Sequence, residues 1–152
     1  MNPQGAQHYL RTKVLTATPE QLQLMLYDGA LRFGQQARAA LDNKRYEESY
    51  TLIVRVQKIV LELMSTLKHE VAPDLCAKLA SLYNFVYRRL VDANVTHEVK
   101  ALDEALEILQ YQRETWALLM QELQKKKAGA AAQQLDVPEP NARMEASICM
   151  QG

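Results

Sequence analysis

Between Gly34 and Gly129 the chain holds no glycine, and only Pro73 interrupts that stretch. Sheets need tight turns, and tight turns draw on glycine, proline or Asn-Gly pairs. A long stretch without them, rich in Leu, Ala, Gln, Glu and Lys, points to an all-α fold. The 152 residues are 48% hydrophobic and 24% charged, ordinary values for a soluble globular chain, and the length fits one domain.

Start signals and period place four helices. Thr18-Pro19-Glu20-Gln21 reads as a capping box, with Pro19 at the first helical position. Leu22, Leu26, Gly29, Phe33, Ala37 and Leu41 then recur at helical steps, so helix one covers about 19–42. Helix two is expected over about 45–68 and helix three over about 73–94, opened by Pro73. Helix four follows Thr96 as its N-cap and runs to about 124, along Val99, Leu102, Leu106, Leu109, Arg113, Trp116, Met120 and Leu123. Only Arg113 breaks that apolar series. Four helices of similar length with short connections predict an antiparallel four-helix bundle over 19–124. Residues 1–18 form an arm or short helix outside it, with Tyr9, Leu10, Val14 and Leu15 free to dock. Residues 125–152 have few large apolar residues and no sustained period, which predicts a disordered tail.

Eighteen Lys+Arg balance eighteen Asp+Glu. A nucleic-acid or anionic-membrane binder would carry a basic excess, so neither partner is expected. No apolar run is long enough to insert in a bilayer. The opening MNPQGAQHYLRTK has no apolar core of a secretory signal. Cys76 and Cys149 are too few for a disulfide framework, which suits a reducing, cytoplasmic compartment. Residues 96–124 carry six acids against two bases, and residues 44–69 five bases against three acids. Solvated faces of complementary sign on neighbouring helices are the expectation.

Catalytic patterns are absent. There is no Glu-x-x-His pair for a di-iron bundle, no clustered Cys and His, no phosphate-cradling glycine loop and no Gly-x-Ser-x-Gly elbow. No metal, cofactor or enzymatic activity is expected. His97-Glu98-Val99-Lys100-Ala101 is similar to the His-x-x-Lys-Gly motif of histidine phosphotransfer domains, but alanine replaces the glycine and the histidine sits at a helix start. A phosphotransfer module is therefore an alternative with a named residue.

Helix two carries more apolar surface than one face can use. Tyr46, Tyr50, Ile53, Val54, Gln57, Val60, Leu61, Met64 and Leu67 make one stripe; Leu52, Val56, Ile59 and Leu63 make a second. Either helix two is central and covered on both sides, or one stripe receives another chain's amphipathic helix. The second stripe is taken as the groove. Tyr83, Phe85, Val86, Tyr87 and Leu90 crowd aromatic surface around helix three, and Tyr83 and Tyr87 join the candidate surface. Gly29 and Gly34 inside helix one imply close approach by a neighbouring backbone. A self-associating bundle would use the same apolar faces, which leaves homodimerisation open.

One stretch is specific. Tyr9-x4-Val14-x-Thr16-Ala17-x-Pro19-x2-Leu22-x2-Met25-Leu26-Tyr27-Asp28-Gly29-Ala30 resembles the opening of the flagellar export chaperone family FliS. Ile59 with Glu62-Leu63, Leu82-Tyr83, Ala93-Asn94 and Arg113-Glu114-x-Trp116 continue the likeness in order over about 9–123. The resemblance implies a cytoplasmic antiparallel helical bundle without enzymatic activity or cofactor. It implies binding of the disordered C-terminal segment of flagellin, protection from early polymerisation and delivery to the flagellar type III export apparatus. It also implies a client wrapped along hydrophobic grooves, with the N-terminal arm nearby. The partner-binding residues expected on these grounds are Tyr9, Leu10, Val14, Leu52, Val56, Ile59, Leu63, Tyr83 and Tyr87. Arg113 is expected to pair with an acid past the bundle edge or to meet the client.

Overall fold

The computed structural model describes residues 3–135. They form α1 (Pro3–Thr16), α2 (Pro19–Asp42), α3 (Tyr46–Ser65), α4 (Pro73–Thr96) and α5 (Val99–Leu135). No strand occurs among the described residues. The chain divides after Trp116 into two compact units.

The capping box forms as expected. Thr18 Oγ1 accepts from the Gln21 amide at 3.1 Å, and Gln21 Oε1 accepts from the Thr18 amide at 3.0 Å. The arm is a helix, joined to α2 through Ala17 and Thr18 alone. Nothing in α1 is buried.

Turns without glycine are closed by two residues in the left-handed region. Lys44, with φ 57°, turns α2 into α3, and His97, with φ 55°, turns α4 into α5. Each takes the conformation that glycine usually supplies after a helix. Asn43 eases the first of these turns by donating from Nδ2 to the Ala39 carbonyl at 2.9 Å. At the second, α4 runs to Thr96, so Thr96 is a last helical residue and not the N-cap expected of it. Its hydroxyl donates back to the Asp92 carbonyl at 2.7 Å.

In the first unit α3 lies between α2 and α4, and α5 closes the bundle on its other side. Arg38 on α2 reaches Asp103 at 2.7 Å, and Arg113 reaches Asp28 at 2.9 Å. Trp116 Nε1 donates to the Glu20 carbonyl at 3.0 Å. On α4, Arg89 reaches Glu104 at 2.8 Å and Glu98 at 3.6 Å. The acids of α5 therefore meet bases on α2 and α4, not those of α3, which corrects the expected pairing of charged faces. Arg113 interrupts the apolar series because it serves this strap to α2.

The core draws Tyr27, Ala30, Leu31, Ala37 and Leu41 from α2, and Leu52, Ile53, Val56, Val60 and Leu63 from α3. Tyr83, Val86, Leu90 and Ala93 from α4 and Ala101, Leu102, Ala105 and Leu109 from α5 complete it. Gly34 packs against the Leu106 side chain, which would have to move aside for an added Cβ. The close neighbour is a side chain, not the backbone expected from the sequence. At Gly29 the neighbour is Ile59 Cδ1, at an ordinary 3.5 Å. Cys76 is a buried thiol; Cys149 lies outside the described residues.

The phenols of Tyr27 and Tyr83 share a buried hydrogen bond of 2.6 Å. Burial, and then that bond, hold the Tyr83 phenol above its ordinary value. A phenol whose pKa is raised by folding binds its proton more tightly in the folded chain. Its contribution is complete below the unfolded value of about 10 and is lost as pH rises beyond it. Tyr83→Phe should therefore flatten the alkaline limb of a stability–pH profile. At neutral pH it should cost about 1–3 kcal/mol, because the Tyr27 hydroxyl is left buried without its partner. Adding Tyr27→Phe should recover part of that loss. Urea unfolding between pH 7 and 11 checks both.

The second unit begins at Ala117, and its described part is helical to Leu135. The tail expected from residue 125 is thus helix over 125–135. The run Ala128-Gly129-Ala130-Ala131-Ala132-Gln133-Gln134 explains the difference, since alanine has the highest helix propensity and one glycine costs only about 1 kcal/mol. Residues 136–152 of that expected tail lie outside the described residues.

Candidate partner-binding surface

On α3, Ser49, Leu52, Ile53, Val56, Val60 and Leu63 are buried. Successive members are one, three or four residues apart and share the face turned into the bundle. The stripe expected to form the groove is therefore the core stripe: Leu52, Val56 and Leu63 are closed off, and Ile59 is half-buried against the core. Tyr83 is buried as well, bonded to Tyr27. Tyr87 is half-buried and packed on the core. Tyr9, Leu10 and Val14 are exposed on α1.

Of the other stripe, Ile53 and Val60 also turn into the core and Leu67 packs against it; the remaining members form an outward line. Tyr46, Tyr50 and Leu61 are 40%, 59% and 50% exposed, and Val54, Gln57 and Met64 are half-buried between them. From Tyr50 the positions 50, 54, 57, 61 and 64 advance by four and three in turn. That alternation keeps them on one line of the helix surface, the spacing with which one helix seats another. From Tyr46 to Met64 the line spans about 27 Å at 1.5 Å per residue. The Tyr46 ring stacks on His97 at the end of α4, with centroids 3.9 Å apart and planes 10° from parallel. The stripe therefore opens against α4.

α4 contributes to the same side. Arg89 points to the start of α5, where it holds Glu104 and, just ahead of the helix, Glu98. Tyr87 and Val91 stand two residues either side of it, about 160° around a helix of 3.6 residues per turn, and so face the α3 flank. Val91 is 36% exposed. Tyr50, Val54 and Leu61 with Tyr87 and Val91 thus make an apolar seam between α3 and α4. It offers shape and greasy surface but no reacting group. No group of three His, Cys, Asp or Glu residues that could hold a metal occurs among the described residues. His97, the residue of the phosphotransfer alternative, is spent on a left-handed turn and a ring stack.

The family description "Flagellar protein FliS" matches residues 1–124. The chain belongs to the FliS family. The flagellar secretion chaperone FliS of Bacillus subtilis is 34% identical over 85% of this chain and 94% of its own length. That of Escherichia coli is 30% identical over 73% and 82%. A solved flagellar chaperone from bacteria superposes with a TM-score of 0.64 over 78% of this chain and 97% of its own, at 21% identity, and shares the fold. FliS proteins are chaperones and not enzymes. No described helix is long and apolar enough to cross a membrane.

From Thr18 onward the residues that carry the FliS likeness are largely scaffold, whereas Tyr9 and Val14 at its start are exposed on α1. In the Leu26-Tyr27-Asp28-Gly29-Ala30 run, Tyr27 bonds Tyr83, Asp28 takes Arg113, Gly29 lies against Ile59 and Ala30 is core. Thr18 caps α2, and Trp116 ties α5 to the Glu20 carbonyl. That motif wires α2 to α3, α4 and α5, while the exposed seam lies elsewhere. Periodicity had found the apolar positions of α3 but grouped Ile53 and Val60, which are core, with the outward line; separating them needed the positions of α2, α4 and α5.

Proposed function

We propose that this chain is a cytoplasmic export chaperone whose client is the C-terminal segment of flagellin. It keeps that segment from premature polymerisation and holds it for flagellar type III export, where components of the export apparatus are further partners. Membership in a family of secretion chaperones supports the export role. The observation that carries the client reading is the exposed α3 stripe, apolar but for Gln57 and stepped at 4-3-4-3, lying outside a core already closed. A client that orders on binding gives up conformational entropy and must bury apolar area to bind at all. A helix with apolar residues at three- and four-residue steps would supply that area. The arm, with Tyr9, Leu10 and Val14 exposed, stands ready as additional client surface.

Mixing the chain with the C-terminal segment of its own organism's flagellin tests this. A one-to-one complex by calorimetry at micromolar concentration, with a gain of helical circular dichroism beyond the sum of the parts, is the expected result. No heat at those concentrations overturns it. Homodimerisation through the same stripe is the competing use, and sedimentation of the chain alone separates the two.

A further inference from the structure

Most of the arginines that join elements of the bundle have acids. Arg38, Arg89 and Arg113 each have a carboxylate partner on another helix, and Arg45 has Glu48 at 3.3 Å. Arg32 on α2 and Arg55 on α3 differ. Their guanidinium carbons stand 5.2 Å and 5.3 Å from the centroid of one ring, Phe33. Neither makes an ion pair among the described residues. Phe33 is itself half-buried against the core, so the ring is a fixed post.

Two cations gathered on one ring repel each other, and the attraction of the ring face offsets only part of that. Neither guanidinium spends an N–H edge on an ion pair among the described residues. Those edges are forks that match a carboxylate. A depression of about 640 Å³ reaches Arg55 along α3, with Thr51 and Leu52 in its wall; Arg45, Glu47 and Glu48 line it too, and Arg45 pairs with Glu48.

We propose that Arg32 and Arg55, posted on Phe33, form a clamp for a carboxylate of the bound polypeptide. This rests on the polypeptide-client reading above and deepens it. Arg55 and Leu61 lie about 120° apart around α3, so a segment seated on the outward stripe reaches the clamp by passing around that helix. An extended, wrapping client does this and a compact one does not. The carboxylate is either an Asp or Glu side chain or the client's chain terminus.

The test follows the side-chain Nε–Hε resonances of Arg32 and Arg55 in the full chain, assigned with Arg32→Gln and Arg55→Gln. Both should move on titration with tetraglutamate and stay still with the C-terminal amide of tetraglutamine, which carries no carboxylate. No movement with tetraglutamate overturns the clamp, and so does a larger movement with inorganic phosphate, which would make it a small-anion site. The flagellin C-terminal segment is then compared as free acid, as C-terminal amide, and with its acids changed to amides. Whichever form loses the clamped carboxylate should bind about tenfold more weakly. The Arg32→Gln/Arg55→Gln double variant should bind all three alike. Equal losses for charged and neutral forms overturn the proposal. If no form of the segment binds, the flagellin reading fails, and the tetraglutamate titration still decides the clamp.

Discussion

Aspartate in place of Val56 is expected to unfold the bundle. Val56 is fully buried in the middle of α3, the helix between α2 and α4. The substitution removes an apolar side chain worth about 1.5–3 kcal/mol of burial. It also sets a carboxylate among the apolar side chains of the core. An unpaired ion there costs several kcal/mol even after it relaxes or takes up a proton. The sum reaches into the about 5–15 kcal/mol that holds a domain of this size together. Loss of helical circular dichroism and of the urea transition at pH 7 is the expected outcome. Because protonation removes the charge, lowering the pH should restore part of the signal. Lys58→Asp, two residues on and exposed, should stay within about 0.5 kcal/mol of the parent. A folded, cooperative Val56→Asp variant would mean that the inner stripe of α3 is not core.

What could be read from the chain divides by how local the cause is. The Thr18 box needs four consecutive residues, and it forms as expected. The glycine gap implied helices, and the turns between them close on Lys44 and His97 in the left-handed region. That choice costs little enough for tertiary packing to carry, but no local pattern announces it. α5 outran its expected end because alanine-rich sequence is polar in pattern yet helical by propensity. The apolar positions of α3 were legible from a 3.6-residue period. Which of them face inward is decided by where three other helices lie, and a one-helix pattern holds no such information. Tyr83 was misplaced for the same reason. A tyrosine with a polar tip suits a wet interface, but here Tyr27, 56 positions away, satisfies the hydroxyl inside the core. Arg32, Phe33 and Arg55 were invisible as a group because the two arginines belong to different helices.

Leu61→Glu should do the reverse of Val56→Asp, keeping the fold and losing the client. Leu61 is 50% exposed and is not among the side chains packed on the core. Glutamate has nearly the helix propensity of leucine, and Lys58 stands three residues before it on the same face. The urea midpoint should therefore move by no more than about 0.5 kcal/mol. Binding is different. In the seam, Leu61 sits between Gln57 and Met64 on the outward line of α3, where a docked helix would press an apolar side chain against it. A carboxylate there must be stripped of water for a client that offers it no partner. Interface positions desolvated in this way cost about 2 kcal/mol when disrupted, which is a loss of about thirtyfold in affinity. Tyr50→Glu, 59% exposed toward the other end of the line, should lose affinity as well, and the larger of the two losses marks the end nearer which the client is centred. Calorimetry of both variants against the flagellin segment, beside their unfolding curves, gives the ranking. If Leu61→Glu binds like the parent, the client does not lie on this stripe. If Tyr50→Glu is the more damaged of the two, the client is centred nearer the ring stack of Tyr46 and His97.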